Sequence, residues 1–176
     1  MRELNSDEME KVVNKLKVYL GDNVSNLMTK YKMFLNNTRV FLCSEQLYKA
    51  SSQIGRKQII SVGTILGKFT KSDNFRITIT GAQTIAKYGI HKVILLENGE
   101  MNFLYGNNAI RNHVYKVSEA IPINAGVFVY NKGETLLGFG LIACNQNSFQ
   151  KMRSGDIVVL NQADNGEYVR NEINIA

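Results

Sequence analysis

The 176-residue chain is poor in the residues on which catalysis, metal binding and secretion most often rely. Its only cysteines are Cys43 and Cys144. Two thiols cannot build a disulfide framework or a zinc site by themselves, and we expect a reducing compartment. On that expectation the Asn-x-Ser/Thr matches at Asn23 and Asn36 are chance. His91 and His113 are the only histidines, and neither lies in a recognisable nucleophile context. Cys43 falls in a strand pattern, where a buried structural thiol is the expected role. None of the apolar runs reaches about 18 residues, the length a membrane-spanning helix needs, so no membrane partner is expected. The opening Met1-Arg2-Glu3-Leu4 passes directly into a charged helical pattern and carries no apolar signal core. The single proline, Pro122, marks a turn.

Acidic residues are also in deficit. The chain has 21 Lys and Arg against 15 Asp and Glu, a net charge of +6. Such an excess suits a polyanionic partner, although solvated lysines account for it equally well. Its distribution is uneven. Residues 1–89 hold 14 basic and 7 acidic side chains, residues 90–176 hold 7 and 8, so the nets are +7 and −1. Lys49, Arg56, Lys57, Lys68, Lys71 and Arg76 fall in a span whose only acid is Asp73. Release of counterions from phosphates needs several cations on one face, and this stretch can supply them.

What is abundant is apolar patterning, at 44% of residues. Asn5 with Glu8 predicts a capped helix carrying Met9, Val12, Val13, Leu16 and Leu20, with Gly21 as its stop. A short helix over 24–28, a hairpin over 32–43 and a Ser44-capped helix ending at Gly55 follow. Strands are expected at 59–62, 64–69 and 75–79, then a helix over 82–88. Beyond Gly89 the predicted runs are 93–96, 103–105, 126–130, 136–144, 157–160 and 167–170, separated by turns such as Glu97-Asn98-Gly99 and Asp164-Asn165-Gly166. Little helix is expected there beyond a turn or two around 108–112. The fold class is therefore α+β: an N-terminal α/β domain over 1–89 with an antiparallel sheet and covering helices, then a small, partly closed β barrel over 90–176.

No constellation for catalysis emerges. Gly63-Thr64-Ile65-Leu66-Gly67-Lys68 imitates a phosphate loop with one residue too few between its glycines, and Phe69 replaces the metal-binding hydroxyl. Gly138-Phe139-Gly140-Leu141-Ile142-Ala143 fits a dinucleotide pattern, yet no helix is expected to follow. Asp156 and Asp164 fall at turns, where solvated turn-formers are the expectation. No catalytic residue, cofactor or metal site is assigned.

Five short motifs occur in order: Gly67-Lys68-Phe69-Thr70-Lys71, Phe75-Arg76, Phe103-Leu104-Tyr105-Gly106-Asn107, Leu137-Gly138-Phe139-Gly140, and Gln162-Ala163-Asp164-x-Gly166-Glu167-Tyr168-Val169-Arg170. With the Arg2-x-Leu4 opening and the Ser44-Glu45 helix start, the chain resembles the two-domain ribosome-biogenesis factor family known as nuclear import protein seven. The resemblance implies that the C-terminal domain is a PUA domain, a β pseudo-barrel of the kind found in RNA-binding factors. It also implies a non-enzymatic role in the nucleus and nucleolus, in pre-rRNA processing and assembly of the large (60S) ribosomal subunit. The implied partners are pre-ribosomal RNA and other large-subunit assembly factors, and a monomer is expected. The chain departs from the family's archaeal relatives, whose C-terminal domain is distinctly basic, in its near-neutral second half, and from several relatives in Cys144, where they carry a lysine.

The candidate RNA-binding residues are Lys68, Lys71 and Arg76 as a phosphate-tracking strip around Phe69, with Tyr105, Asn107, Arg111, Lys116, Lys151, Arg153 and Arg170 in the second half. For each there is a plain structural alternative. The strip could be a solvated sheet edge that discourages pairing, Tyr105 could pack in the core, and Arg170 could pair with Glu167 or Glu172. The alternative reading of the whole chain is a protein-interaction adaptor within pre-ribosomal particles, touching RNA incidentally.

Overall fold

A computed structural model describes residues 1–54 and 61–170. Gly55, Arg56, Lys57, Ile59 and Glu172, which enter the expectations above, lie outside the described residues. The chain forms two compact units, Met1–Lys17 with Gly21–Tyr88, and Val18–Leu20 with Gly89–Ala176.

In the first unit, β1 (Arg2–Glu3) precedes α1 (Ser6–Leu20). The helix starts where its sequence says it should. Asn5 Oδ1 accepts the Glu8 N–H at 2.8 Å, and the Glu8 carboxylate accepts the Asn5 N–H at 2.9 Å. Gly21, at φ 52°, ends it. Val12 and Leu16 are fully buried, as their spacing requires. After α2 (Val24–Lys30), β2 (Tyr31–Asn36) and β3 (Arg39–Ser44) form a hairpin whose turn residue Asn37 has φ 54°. Ser44 accepts the Leu47 N–H at 3.3 Å and caps α3 (Glu45–Ser51), which stops short of Gly55. β4 (Thr64–Phe69) and β5 (Phe75–Ile77) complete an antiparallel sheet in the order β1-β2-β3-β4-β5.

The expected strand over 75–79 is cut short by a cap. Thr78 Oγ1 accepts the Gly81 N–H at 3.3 Å and opens α4 (Ile79–Ile85), so Thr78 and Ile79 leave the sheet. Ser61 and Val62, placed in a strand by the sequence reading, have no strand structure.

The second unit carries β6 (Lys92–Leu95), α5 (Glu97–Leu104), β7 (Ala109–Ile110), β8 (Val114–Val117), β9 (Gly126–Tyr130), β10 (Leu136–Ile142), α6 (Gln146–Phe149), β11 (Ile157–Asp164) and α7 (Glu167–Arg170). Six strands order as β7-β11-β10-β9-β6-β8, antiparallel except for the parallel β6–β9 pair. The edge strands β7 and β8 are joined by only Arg111–His113. That short link draws the two edges of the sheet together and makes a nearly closed barrel. Val93, Leu95, Phe103, Val127, Val129 and Val158 fill its core.

Three expectations fail here. Phe103–Tyr105 is the end of α5 and the cap after it rather than a strand, and Glu97-Asn98-Gly99 is its first turn. Glu97 and Glu100 favour a helix start through its dipole. Gly99 is needed for packing, since a Cβ there would collide with the His113 side chain. Glu167–Arg170 is likewise a helical turn, with the Val169 and Arg170 N–H groups both donating to the Gly166 carbonyl.

Candidate nucleic-acid interface

Sheet pairing in the first unit brings together cations that lie far apart in the chain. Lys68 on β4 stands directly opposite Arg76 on β5 and, on its other side, directly opposite Arg39 on β3. Residues paired this way share one face of the sheet, with Cβ atoms about 5 Å apart. Lys15, half-buried on α1, has its ammonium pKa lowered by burial and then by the Arg76 charge, which brings a fourth cation to the group. Lys71 sits in the β4–β5 turn, closed by Thr70 N–H to Asn74 O at 2.9 Å and Asp73 N–H to Thr70 O at 2.9 Å. Asp73, the one acid of this stretch, is ion-paired with Lys11. Among the described residues, Arg39, Lys68, Lys71 and Arg76 have no ion-pair partner. Lys49 is paired with Glu45 at 3.0 Å.

Lys68 and Arg76 thus share one face of the sheet, but Phe69 is not at its centre. Phe69 packs on Phe75, ring centroids 5.4 Å apart, and alternation puts both on the face opposite Lys68 and Arg76. Arg39 was not singled out from the sequence. Its partner Lys68 is too distant in the chain for any local pattern to reveal the register.

In the second unit, backbone pairing gathers a smaller group. The Arg111 N–H donates to Asp156 O at 2.8 Å and the Asn112 N–H to Ser154 O at 3.0 Å, docking the Arg111 turn on the loop that carries Lys151 and Arg153. The Arg111 guanidinium lies 4.1 Å over the Phe149 ring, and its Nε donates to the Phe149 carbonyl at 3.2 Å. The Asp156 carboxylate accepts the Arg153 N–H at 2.8 Å. Lys151 and Arg153 are exposed. Lys116 is exposed on edge strand β8, opposite Ile94.

Tyr105 is 66% exposed, so it does not pack in the core. Tyr105 and exposed Asn107 flank Gly106 (φ 89°) in a loop held from beneath by polar groups. Asn161 Nδ2 donates to Phe103 O at 3.0 Å and Asn107 O at 3.3 Å, while the Asn161 N–H donates to Asn108 Oδ1 at 2.9 Å. Asp164 anchors the arrangement. It was expected to be solvated, yet it is 1% exposed and is the one buried charge among the described residues. It accepts from Gly166 N–H at 2.9 Å, Asn161 at 3.2 Å and Arg170 at 3.0 and 2.9 Å. Arg170 also donates to the Leu104 carbonyl. Arg170, itself partly exposed, thus braces the Tyr105 loop, with its charge paired to Asp164.

Burial pushes the Cys43 and Cys144 thiols above their usual pKa, away from nucleophilic thiolates. Among the described residues no cluster of His, Cys, Asp and Glu could hold a metal ion, and no helix is long and apolar enough to cross a membrane.

A helix-covered antiparallel sheet followed by a nearly closed barrel-like sheet defines the chain as a PUA-domain protein with a preceding α/β domain. Residues 1–79 match the NIP7/UPF0113 pre-PUA domain and residues 91–173 the UPF0113 PUA domain. The chain is 38% identical over 176 residues to the 60S ribosome subunit biogenesis protein NIP7 of Saccharomyces cerevisiae, covering 98% of this chain and 97% of that one. The Schizosaccharomyces pombe protein of the same name is 36% identical, with 98% of each chain covered. The chain belongs to the NIP7 family. Two solved structures share the fold. A hypothetical protein of Pyrococcus horikoshii OT3 gives a TM-score of 0.61 at 12% identity, covering 98% of both chains. A PUA-domain structure from Aeropyrum pernix K1 gives 0.60 at 14% identity, covering 96% of this chain and 87% of that one.

Proposed function

We propose that this chain is an RNA-binding ribosome biogenesis factor without catalytic activity, working in pre-rRNA processing and assembly of the large (60S) ribosomal subunit. Its partners are pre-ribosomal RNA and other assembly factors, its place is the nucleus and nucleolus, and it acts as a monomer. The observation that carries this reading is likeness over nearly the whole chain to proteins named for 60S biogenesis. Two domains divide the work, 1–89 and 90–176. In the first, Lys68, Lys71 and Arg76 contact phosphates. In the second, Arg111, Lys151 and Arg153 form a smaller phosphate site, and Lys116 adds a separate contact on β8. Tyr105 and Asn107 meet an unpaired base, supported by Arg170 from below.

The test is replacement of the Saccharomyces cerevisiae relative by this chain in cells depleted of that relative. Restored 60S subunits on sucrose gradients, with the chain cosedimenting with 60S precursors, is the expected result. Failure to restore them, with the chain expressed and folded, would overturn the reading.

A further inference from the structure

We infer that Arg39, Lys68 and Arg76 form a phosphate-binding row, with Lys15 beside it, along which the backbone of one RNA strand crosses β3, β4 and β5 at right angles to them. The inference rests on the RNA-binding reading above and gives it a site and a direction.

Its first support is electrostatic. Like charges placed directly opposite on a sheet destabilise it, and here three cations stand in two successive opposed pairs. A carboxylate at any one of the three would give a favourable pair instead. The only acid of the stretch, Asp73, is ion-paired with Lys11, and Arg39, Lys68 and Arg76 form no salt bridge among the described residues. A partner that brings negative charge would relieve this repulsion.

The second support is position. Cations that merely guard a sheet against aggregation belong on its edge strands. Arg76 is on edge strand β5, but Lys68 and Arg39 are on the interior strands β4 and β3. Edge protection leaves two of the three unexplained.

The third is geometry. Neighbouring strands lie about 4.8 Å apart, so the row spans about 10 Å from Arg39 to Arg76. The long Lys and Arg stems let the charged heads spread to meet consecutive phosphates. The aromatic pair Phe69 and Phe75 points to the other face, so the row offers charge without a base-stacking platform. Recognition is then of the phosphodiester backbone, independent of base sequence.

The experiment measures binding of the full chain to a 20-nucleotide oligouridine across a salt series, beside the variant R39Q/K68Q/R76Q. Loss of three phosphate contacts should reduce the slope of log affinity against log salt by about 2, so the gap between the two proteins narrows about 20-fold from 50 to 200 mM salt. The melting temperature of the variant should equal or exceed that of the unaltered chain. An unchanged slope, or a lower melting temperature, would overturn the row. Should the triple variant fail to fold, K68E serves instead, because it places an acid between two arginines. Stability equal or greater with weakened binding supports the row, and binding at full strength overturns it. If the unaltered chain does not bind RNA at all, the broader reading fails as well, and the two failures are told apart.

Discussion

Arg170 and Asp164 form a two-point ion pair, with Nη2 of the guanidinium 3.0 and 2.9 Å from the two carboxylate oxygens of a buried aspartate. The same arginine reaches the Leu104 carbonyl at the end of α5. Breaking such a pair leaves a buried charge without its partner. Arg170→Ala should destabilise the second unit by about 2–4 kcal/mol, read from urea denaturation. Amide exchange should rise over 104–108, the segment the network supports. Lysine at 170 should restore only part of the loss, because it lacks the forked donor.

The base contact proposed for Tyr105 should separate from the proposed ionic ones. Tyr105→Ala should weaken binding to single-stranded RNA by about 1–3 kcal/mol, the worth of one stacked base, without changing the salt slope. Lys151→Ala with Arg153→Ala should instead flatten the slope by about 1.4. Affinity measured by fluorescence anisotropy across a salt series distinguishes the two.

The cap of α1 gives a pH dependence of known sign. The Glu8 carboxyl pKa is held below its ordinary value, first by the hydrogen bond from Arg2 and then by the Asn5 N–H. A depressed folded-state pKa contributes stability that is complete above the unfolded value near 4.5 and is lost as pH falls through the folded one. Glu8→Gln should reduce the loss of thermal stability between pH 5 and about pH 3, followed by calorimetry. Asn5→Ala should cost about 1 kcal/mol at neutral pH.

Gly99→Ala tests why α5 starts where it does. The added methyl group would meet the Cβ and ring of His113, so the change should be destabilising although alanine is the better helix former. Relocation of the helix start would show as altered amide protection over 97–100.

The elements readable from sequence were those fixed by near neighbours. Asn5 with Glu8, Ser44 before Leu47, and the Asn37 turn each act over three or four residues, and all are present. Glu97-Asn98-Gly99 misled because a turn and a helix start use the same residue types, and only the distant His113 decides between them. Asp164 was read as a solvated turn residue because its partners, Asn161 and Arg170, show their purpose only when α7 folds back beneath α5. Arg39 escaped notice for the same reason: opposition to Lys68 is a property of sheet register. The basic stretch was legible in the charge counts, but its arrangement across three strands was not.

The central claim is that the chain reaches its particle through RNA, and that much of this contact is made by the first domain. Residue-level protein–RNA crosslinking in native large-subunit precursors tests it most directly. The account predicts crosslinked peptides containing Arg39, Lys68 or Arg76, together with peptides around Tyr105 and Lys151. Protein partners captured after nuclease treatment, with no RNA crosslinks in either domain, would contradict it.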